Sequence, residues 1–354
     1  MNIKEVLEQA VQREASDIFL VAGMPLSYKI GGRIQEYESS KLSPGQIEEM
    51  IGQLYHTASE RSMKKVREVG DDDFSFAVPD LSRFRANVFQ QRGSLAAIIR
   101  IITFDLPDYT QLHLPRTIID VAKMTKGMVL VTGPAGSGKS TTLSCIINEI
   151  NHTRNAHVIT LEDPIEYLHR HDKSVVSQRE VGTDTESYVS GLRAALRQAP
   201  DVILLGEMRD NETIKTAMTA AETGHLVIST LHTVGAANTM DRIIDTFPPE
   251  QQQQIRVQIS MVMEAVISQQ LIPTLDGRVQ PAFEIMFFNN AIRNMVRESK
   301  IHQIDNVIAT SQKEGMISMD ASLIQMYQNK VISKENAIIY SNNSELMAKK
   351  IERL

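Results

Sequence analysis

A chain of 354 residues is long for one hydrophobic core and predicts about two domains. Its net charge of -6 argues against bulk binding of a polyanion. Its single cysteine, Cys145, excludes an intrachain disulfide and a cysteine-based zinc site. No run reaches the roughly eighteen apolar residues of a membrane span, and the acid-bearing N-terminus is not a signal peptide, so a cytoplasmic protein is expected.

In chain order, Ile3, Val6, Leu7, Ala10 and Val11 share one face of a helix. Residues 17–21 read as a strand, and Gly31-Gly32 between residues 28–30 and 33–35 is a hairpin signal. Ser43 and Pro44 open a helix as N-cap and first helical residue. Two helices run to about Glu68, and strands follow at residues 73–78, 83–90 and 95–102. Residues 1–103 are thus expected to form an α+β module. Arg83, Arg85, Arg92 and Arg100 stand out within it. Arg83 and Arg85 alternate with Phe84 and share a sheet face. That pattern suits a solvated strand face or a cluster directed at the phosphates of a nucleotide bound elsewhere, and spacing does not choose. Residues 104–115, with two prolines and no periodicity, predict an interdomain linker able to act as a hinge.

From residue 116 strands alternate with helices, the mark of a doubly wound, mostly parallel α/β sheet. Strands are expected at residues 128–132, 157–161, 202–205 and 226–230. The first runs into Gly133-Pro-Ala-Gly-Ser-Gly-Lys-Ser140, which fits the P-loop pattern G-x-x-x-x-G-K-[ST]. Gly133, Gly136 and Gly138 allow the loop to turn its N–H groups toward one anion, and the following helix offers its positive end to the same place. The expected nucleotide contacts are Gly133, Pro134, Ala135, Gly136, Ser137, Gly138, Lys139, Ser140, Thr141 and Thr142. Lys139 would reach the β- and γ-phosphates of ATP, and Ser140 would ligate Mg²⁺.

Polar groups follow the other strands, where ligands of such sheets bind. Glu162-Asp-Pro-Ile-Glu166 sets three carboxylates in five residues, as an ordinary turn or as acids orienting the attacking water. Gly206-Glu-Met-Arg-Asp210 resembles a Walker B element with Gly206 in place of the usual Asp. Glu207 is therefore expected to act on water, or on Mg²⁺ through water. His225 and His232 bracket the next strand and could sense the γ-phosphate or be structural. Beyond it, residues 249–270 read as one long helix, 275–278 as a turn, 282–287 as a strand and 289–354 as helical. Arg293 and Arg297 form an i, i+4 basic pair on a helix whose other face carries Ile292, Met295 and Val296. The 17 methionines read as fillers of helical packing.

Taken together, the P-loop, Thr160-Leu-Glu-Asp-Pro-Ile-Glu166, Gly206-Glu-Met-Arg-Asp210 and Thr223-Gly-His-Leu-Val-Ile-Ser-Thr-Leu-His232 resemble the type II/IV secretion ATPase superfamily. Within it the chain is most similar to the pilus retraction (twitching motility) ATPases, the PilT family. Ala291-Ile-Arg-Asn-Met-Val-Arg-Glu298 resembles that family's AIRNLIRE element, and Ala15-Ser-Asp-Ile-Phe-Leu20 its early strand, with Phe19 where a histidine is common. The resemblance implies a PAS-like N-domain, a RecA-like ATPase domain over residues 116–354, and a homohexameric ring with nucleotide between the domains. It implies that Arg83, Arg85 and Arg100 face the phosphates, that Glu207 and Glu166 are the catalytic acids, and that His225 and His232 complete the site. It implies an output role for Arg293 and Arg297. The expected partners are an inner-membrane pilus platform protein, the extension ATPase and an accessory retraction paralogue. The location implied is the cytoplasmic face of the membrane, with no direct contact to nucleic acid. An accessory retraction paralogue, another motor of the superfamily, a nucleic-acid translocase and a small-molecule kinase are the competing readings.

Overall fold

The computed structural model describes residues 2–58, 61–102, 104 and 106–353. Residues 103 and 105, at the expected end of the first domain and within the expected linker, lie outside the described residues. The chain divides into two compact units, Met1–Asp105 with Pro164–Leu168, and Leu106–Asp163 with His169–Leu354.

The first unit contains α1 (Ile3–Gln12), β1 (Asp17–Val21), β2 (Pro25–Ile30), β3 (Arg33–Lys41), α2 (Pro44–Thr57), α3 (Lys64–Val69), β4 (Asp71–Val78), β5 (Ser82–Gln91) and β6 (Ser94–Ile102). Its strands form one antiparallel sheet in the order β3-β2-β1-β6-β5-β4. A capping box between Ser43 and Gln46 starts α2. The helix buries Ile47, Met50, Ile51 and Leu54, at helical spacing, in one core with Ile18, Leu20, Phe84, Val88 and Ile99. Arg85 stands opposite Arg100 in the β5–β6 ladder. Arg85 pairs with Asp73 at 2.6 Å, and Arg100 with the buried Asp17 at 3.1 Å. Arg92 occupies the β5–β6 turn with φ +48°.

The second unit begins with α4 (Arg116–Ile119), β7 (Gly127–Thr132), α5 (Lys139–Thr153), β8 (His157–Glu162), β9 (Val175–Glu180), α6 (Tyr188–Ala195) and β10 (Val202–Leu205). It continues with α7 (Asn211–Glu222), β11 (Leu226–Leu231), α8 (Ala236–Asp245), α9 (Pro249–Val262), β12 (Met263–Pro273) and β13 (Val279–Phe287). The C-terminal helices are α10 (Asn290–Arg297), α11 (Ile304–Thr310), α12 (Met319–Gln328), α13 (Lys334–Ile339) and α14 (Ser344–Ile351). The sheet order is β13-β12-β7-β11-β10-β8-β9, parallel except for β13.

Helices on both faces explain why β7 is buried throughout. Met128 and Leu130 pack into a core with Met218 of α7, Ile259 of α9 and Val296 of α10. Their neighbours Val129 and Val131 pack the other way, against Ile146 and Ile150 of α5. Met319, Met326 and Met347 fill a separate core under the C-terminal helices with Ile272 and Ala282.

The expected helix over residues 249–270 is corrected. It ends at Val262, and β12 begins at once, with Met263 at φ -71°, ψ 130°. No glycine or proline marks the change. Tertiary pairing decides it: β12 lies between β7 and β13, burying Val266 on one sheet face and Ala265 and Ile267 on the other. Strand β9, in a stretch that carried no expectation, closes the other edge.

Candidate active site

Parallel strands deliver their carboxyl ends to one edge of the sheet. Here β7 ends in the glycine loop, β11 in His232, β10 in Gly206-Glu207 and β8 in Glu162, on successive strands about 4.8 Å apart.

The loop after β7 is closely seated. Gly133 has φ +142°, and a Cβ there would lie 2.1 Å from the Gln269 carbonyl oxygen of β12, so no side chain is admitted. Gly138, at φ +85°, precedes α5 without a side-chain cap. Lys139 is buried and donates from Nζ to the carbonyls of Gly133 and Pro134, both at 2.9 Å. Pro134, Ala135 and Gly136 are exposed, Ser140 and Thr141 half-buried, and Ser137 and Thr142 buried. An uncapped helix start beside an ammonium and a loop closed to side chains suits a phosphate chain. Ser140 lies on the first turn of α5, and Gly206 carries no side chain.

Across the edge, the largely buried Glu207 carboxylate meets Arg209 Nε at 2.7 Å and His232 Nε2 at 3.4 Å. Its loop is latched to β11, where Thr230 Oγ1 donates to the Gly206 carbonyl at 2.5 Å and Met208 N–H donates to Thr230 O at 3.3 Å. The missing Asp at position 206 has a local reason. A Cβ there would lie 2.8 Å from the Tyr188 hydroxyl. Burial, with the charges of Glu207, Asp163 and Glu162, raises that phenol above its ordinary pKa and keeps it protonated. Glu162 accepts from Thr160 Oγ1 at 2.6 Å and from Gln178 Nε2 of β9 at 3.2 Å. Asp210 caps α7 through Thr213.

The other expected site residues have surroundings of their own. His225 precedes β11 and so lies at the opposite edge of the sheet from Lys139 and Glu207. Its Nδ1 is 2.9 Å from Ala220 O and 3.2 Å from Thr223 Oγ1, closing the turn from α7. Glu166 is exposed, in a segment that groups with the first unit. Arg83, Arg85 and Arg100 share one face of the first unit's sheet, with Arg83 half-buried on β5. Arg293 and Arg297 part company. Arg293 donates to the carbonyl of Ser260 at the end of α9 and to Glu264 at 3.0 Å, whereas Arg297 bonds Asn294 of its own helix.

Two features of the site escaped sequence reasoning. One is a cavity of about 530 Å³ beside Thr141 and Thr142, walled by Leu112, Leu114, Leu271 and Val279, with Arg278 at its margin. The other is Gln269, whose strand was expected as helix; Thr142 Oγ1 donates to its Oε1 at 2.7 Å, and its Nε2 donates to Ser137 O at 2.7 Å. The buried Val-Ile pair at residues 266–267 was the available signal for that strand.

Residues 1–351 match the family described as Type II/IV secretion system protein. The chain is 42% identical to the type IV pilus retraction ATPase PilT of Pseudomonas aeruginosa, covering 95% of this chain and 97% of that protein. It is 44% identical to a twitching motility protein of Neisseria gonorrhoeae, covering 98% and 92%. Among solved structures it is similar to the pilus retraction motor PilT with bound ADP, at TM-score 0.89 and 43% identity over 100% of both chains. It is also similar to the ATPase DotB of Legionella pneumophila, at TM-score 0.75 and 30% identity over 95% and 94%. A nucleotide-shaped P-loop edge on a RecA-like sheet and likeness along the whole length agree: the chain belongs to the type II/IV secretion system protein family, in its pilus-retraction ATPase branch.

Proposed function

We propose that this chain is the subunit of a ring-shaped motor that hydrolyses ATP to withdraw type IV pili. The observation that carries the reading is the Glu207–His232 pair, held on strand ends beside the P-loop, in a chain matched end to end by a pilus retraction motor that binds ADP. In this reading the triphosphate lies along residues 133–142 and the nucleoside fills the cavity walled by Leu112 and Leu271.

Hydrolysis is an in-line attack of water on the γ-phosphorus. The new bond is from water oxygen to phosphorus, the bond to the bridging oxygen breaks, and ADP leaves with that electron pair. Glu207 takes the water's proton, while His232 and Arg209 hold its carboxylate in place. Lys139, in reach of the loop carbonyls, turns its ammonium to the phosphate oxygens as their charge grows. Ser140 would hold Mg²⁺, which when bound would supply further positive charge at the phosphate oxygens. Arg83, Arg85 and Arg100 act on the phosphates from the N-terminal domain (residues 1–103), with Glu166 assisting, and residues 104–115 serve as the hinge that turns hydrolysis into movement. The assembly is a homohexamer acting on a membrane platform protein at the cytoplasmic face. Among the described residues no helix is long and apolar enough to cross a membrane.

The experiment is disruption of the gene, complemented by wild type or Lys139→Ala, with twitching and surface pili scored together. Lost motility with excess pili, restored by wild type alone, is expected. Loss of the pili themselves would assign the motor to assembly instead.

A further inference from the structure

We infer that Gln269 is a positioning residue for the nucleotide: its carboxamide, buried on β12, fixes the P-loop to the first turn of α5. The inference rests on the reading that this loop holds ATP phosphates. Gln269 is 2% exposed and stands one residue beyond the β12–β7 pairing of Ser268 with Thr132, level with the point where the chain leaves the strand. Three contacts converge on it. Its backbone carbonyl occupies the space a side chain at position 133 would need. Its Nε2 donates to Ser137 O, and its Oε1 accepts from Thr142 Oγ1. A carbonyl can only accept, so the Ser137 contact fixes which end of the amide is nitrogen, and Thr142 must then be the donor. One planar group thereby sets the distance between residue 137, inside the loop, and residue 142, inside the helix. The N–H groups meant for phosphate lie between those two anchors.

The arrangement has a chemical signature. In Gln269→Glu a carboxylate oxygen would face the Ser137 carbonyl oxygen, two acceptors with no proton between them. Gln269→Leu would keep the volume and lose both bonds. Both variants should weaken ADP binding about tenfold, the worth of two hydrogen bonds in a pre-organised site. KM for ATP should rise with it while kcat changes less, since the lost interaction serves ground state and transition state alike. Gln270→Leu, on the neighbouring residue whose amide reaches Tyr340 O, should bind ADP as wild type does.

The test is calorimetric ADP binding and steady-state kinetics on Q269L, T142V, the double variant and Q270L, with amide exchange of residues 136–139 in nucleotide-free protein. Weaker binding in Q269L, a double variant no worse than Q269L, and faster loop exchange without nucleotide support the inference. ADP affinity in Q269L within about twofold of wild type, or additive losses in the double variant, overturn it. Should Q269L fold poorly, T142V decides, because it leaves β12 unaltered; wild-type affinity in T142V also overturns it. The exchange arm needs no nucleotide, so unchanged loop exchange beside normal ATP turnover removes the role of Gln269 and leaves the ATPase standing. A wild-type protein that bound no ADP would remove the nucleotide reading and this inference together.

Discussion

The two ends of β11 carry the same side chain in very different settings. At the carboxyl end His232, with 54% of its side chain exposed, faces Glu207 on the next strand. At the amino end, about 23 Å away at 3.3 Å per residue, His225 is folded onto Ala220 and Thr223 of the preceding turn. A parallel sheet sorts residues by direction. The parallel strands leave at the same edge, and β7, β10 and β11 lead to helix starts, so helix N-termini and acids accumulate there. The opposite edge receives chains arriving from helix ends, where a ring nitrogen is best used to satisfy a leftover carbonyl. The contrast therefore separates chemistry from turn closure within one motif.

The largest test of that contrast is at the loop. Lys139→Ala should abolish measurable hydrolysis, a loss on the order of a thousandfold or more, with the protein still folded by circular dichroism. Glu207→Gln should bind ADP normally and turn over about a hundred- to a thousandfold more slowly. Normal turnover in either would remove the carboxyl edge as the seat of catalysis. The histidines divide the same way. His232→Ala should lower kcat about ten- to a hundredfold by loosening Glu207. His225→Ala should leave kcat within about threefold and cost about 1 kcal/mol of stability through the Ala220 carbonyl. Equal kcat losses in the two would break the comparison.

How much of this was legible in the sequence follows from the range of each interaction. The P-loop, the Ser43 cap and the Gly31-Gly32 hairpin are local, so their residues announce them. The strand ends bearing Glu207 and His232 could be read from apolar runs, because burial on both faces leaves little else. Gln269 could not, since its partners lie 127 and 132 residues away and its strand follows a helix with no breaker between them. The pinning of Glu162 by Gln178 was hidden for the same reason, through an edge strand of mixed polarity. The edge to which His225 belongs could not be read either, because spacing along a strand does not say which edge is used.

Arg293 and Arg297 extend the contrast to the C-terminal helices, where a basic pair also divides. Arg293 holds the end of α9 and Glu264 with only 22% of its side chain exposed, whereas the Arg297 side chain bonds Asn294 of its own helix. Arg293→Ala should destabilise the protein by about 2 kcal/mol in urea denaturation, and Arg297→Ala by less than about 0.5. If Arg297→Ala spares ATPase activity and stops twitching, the output role rests on that residue. Equal destabilisation by the two would show that both are structural.

A third histidine, in the connection between β8 and β9, sharpens the comparison by pH. His169 follows the Glu162 turn, its N–H donates to Gln178 Oε1 at 2.8 Å, and its Nδ1 is buried without a hydrogen-bond partner among the described residues. Burial pushes its imidazole down to about 4 from the usual 6.5. The native state then keeps it neutral while the unfolded chain takes up a proton below pH 6.5, so stability present above that pH drains away as pH falls toward 4. The loss should be about 1 kcal/mol by pH 5.5, read as the urea midpoint across that window. His169→Gln should flatten the slope between pH 6.5 and 4 and leave the Glu207–His232 pair in place. A slope unchanged in His169→Gln would mean that another group governs the acid limb. An activity profile that followed the stability slope would mean that unfolding driven by His169 limits the enzyme on the acid side.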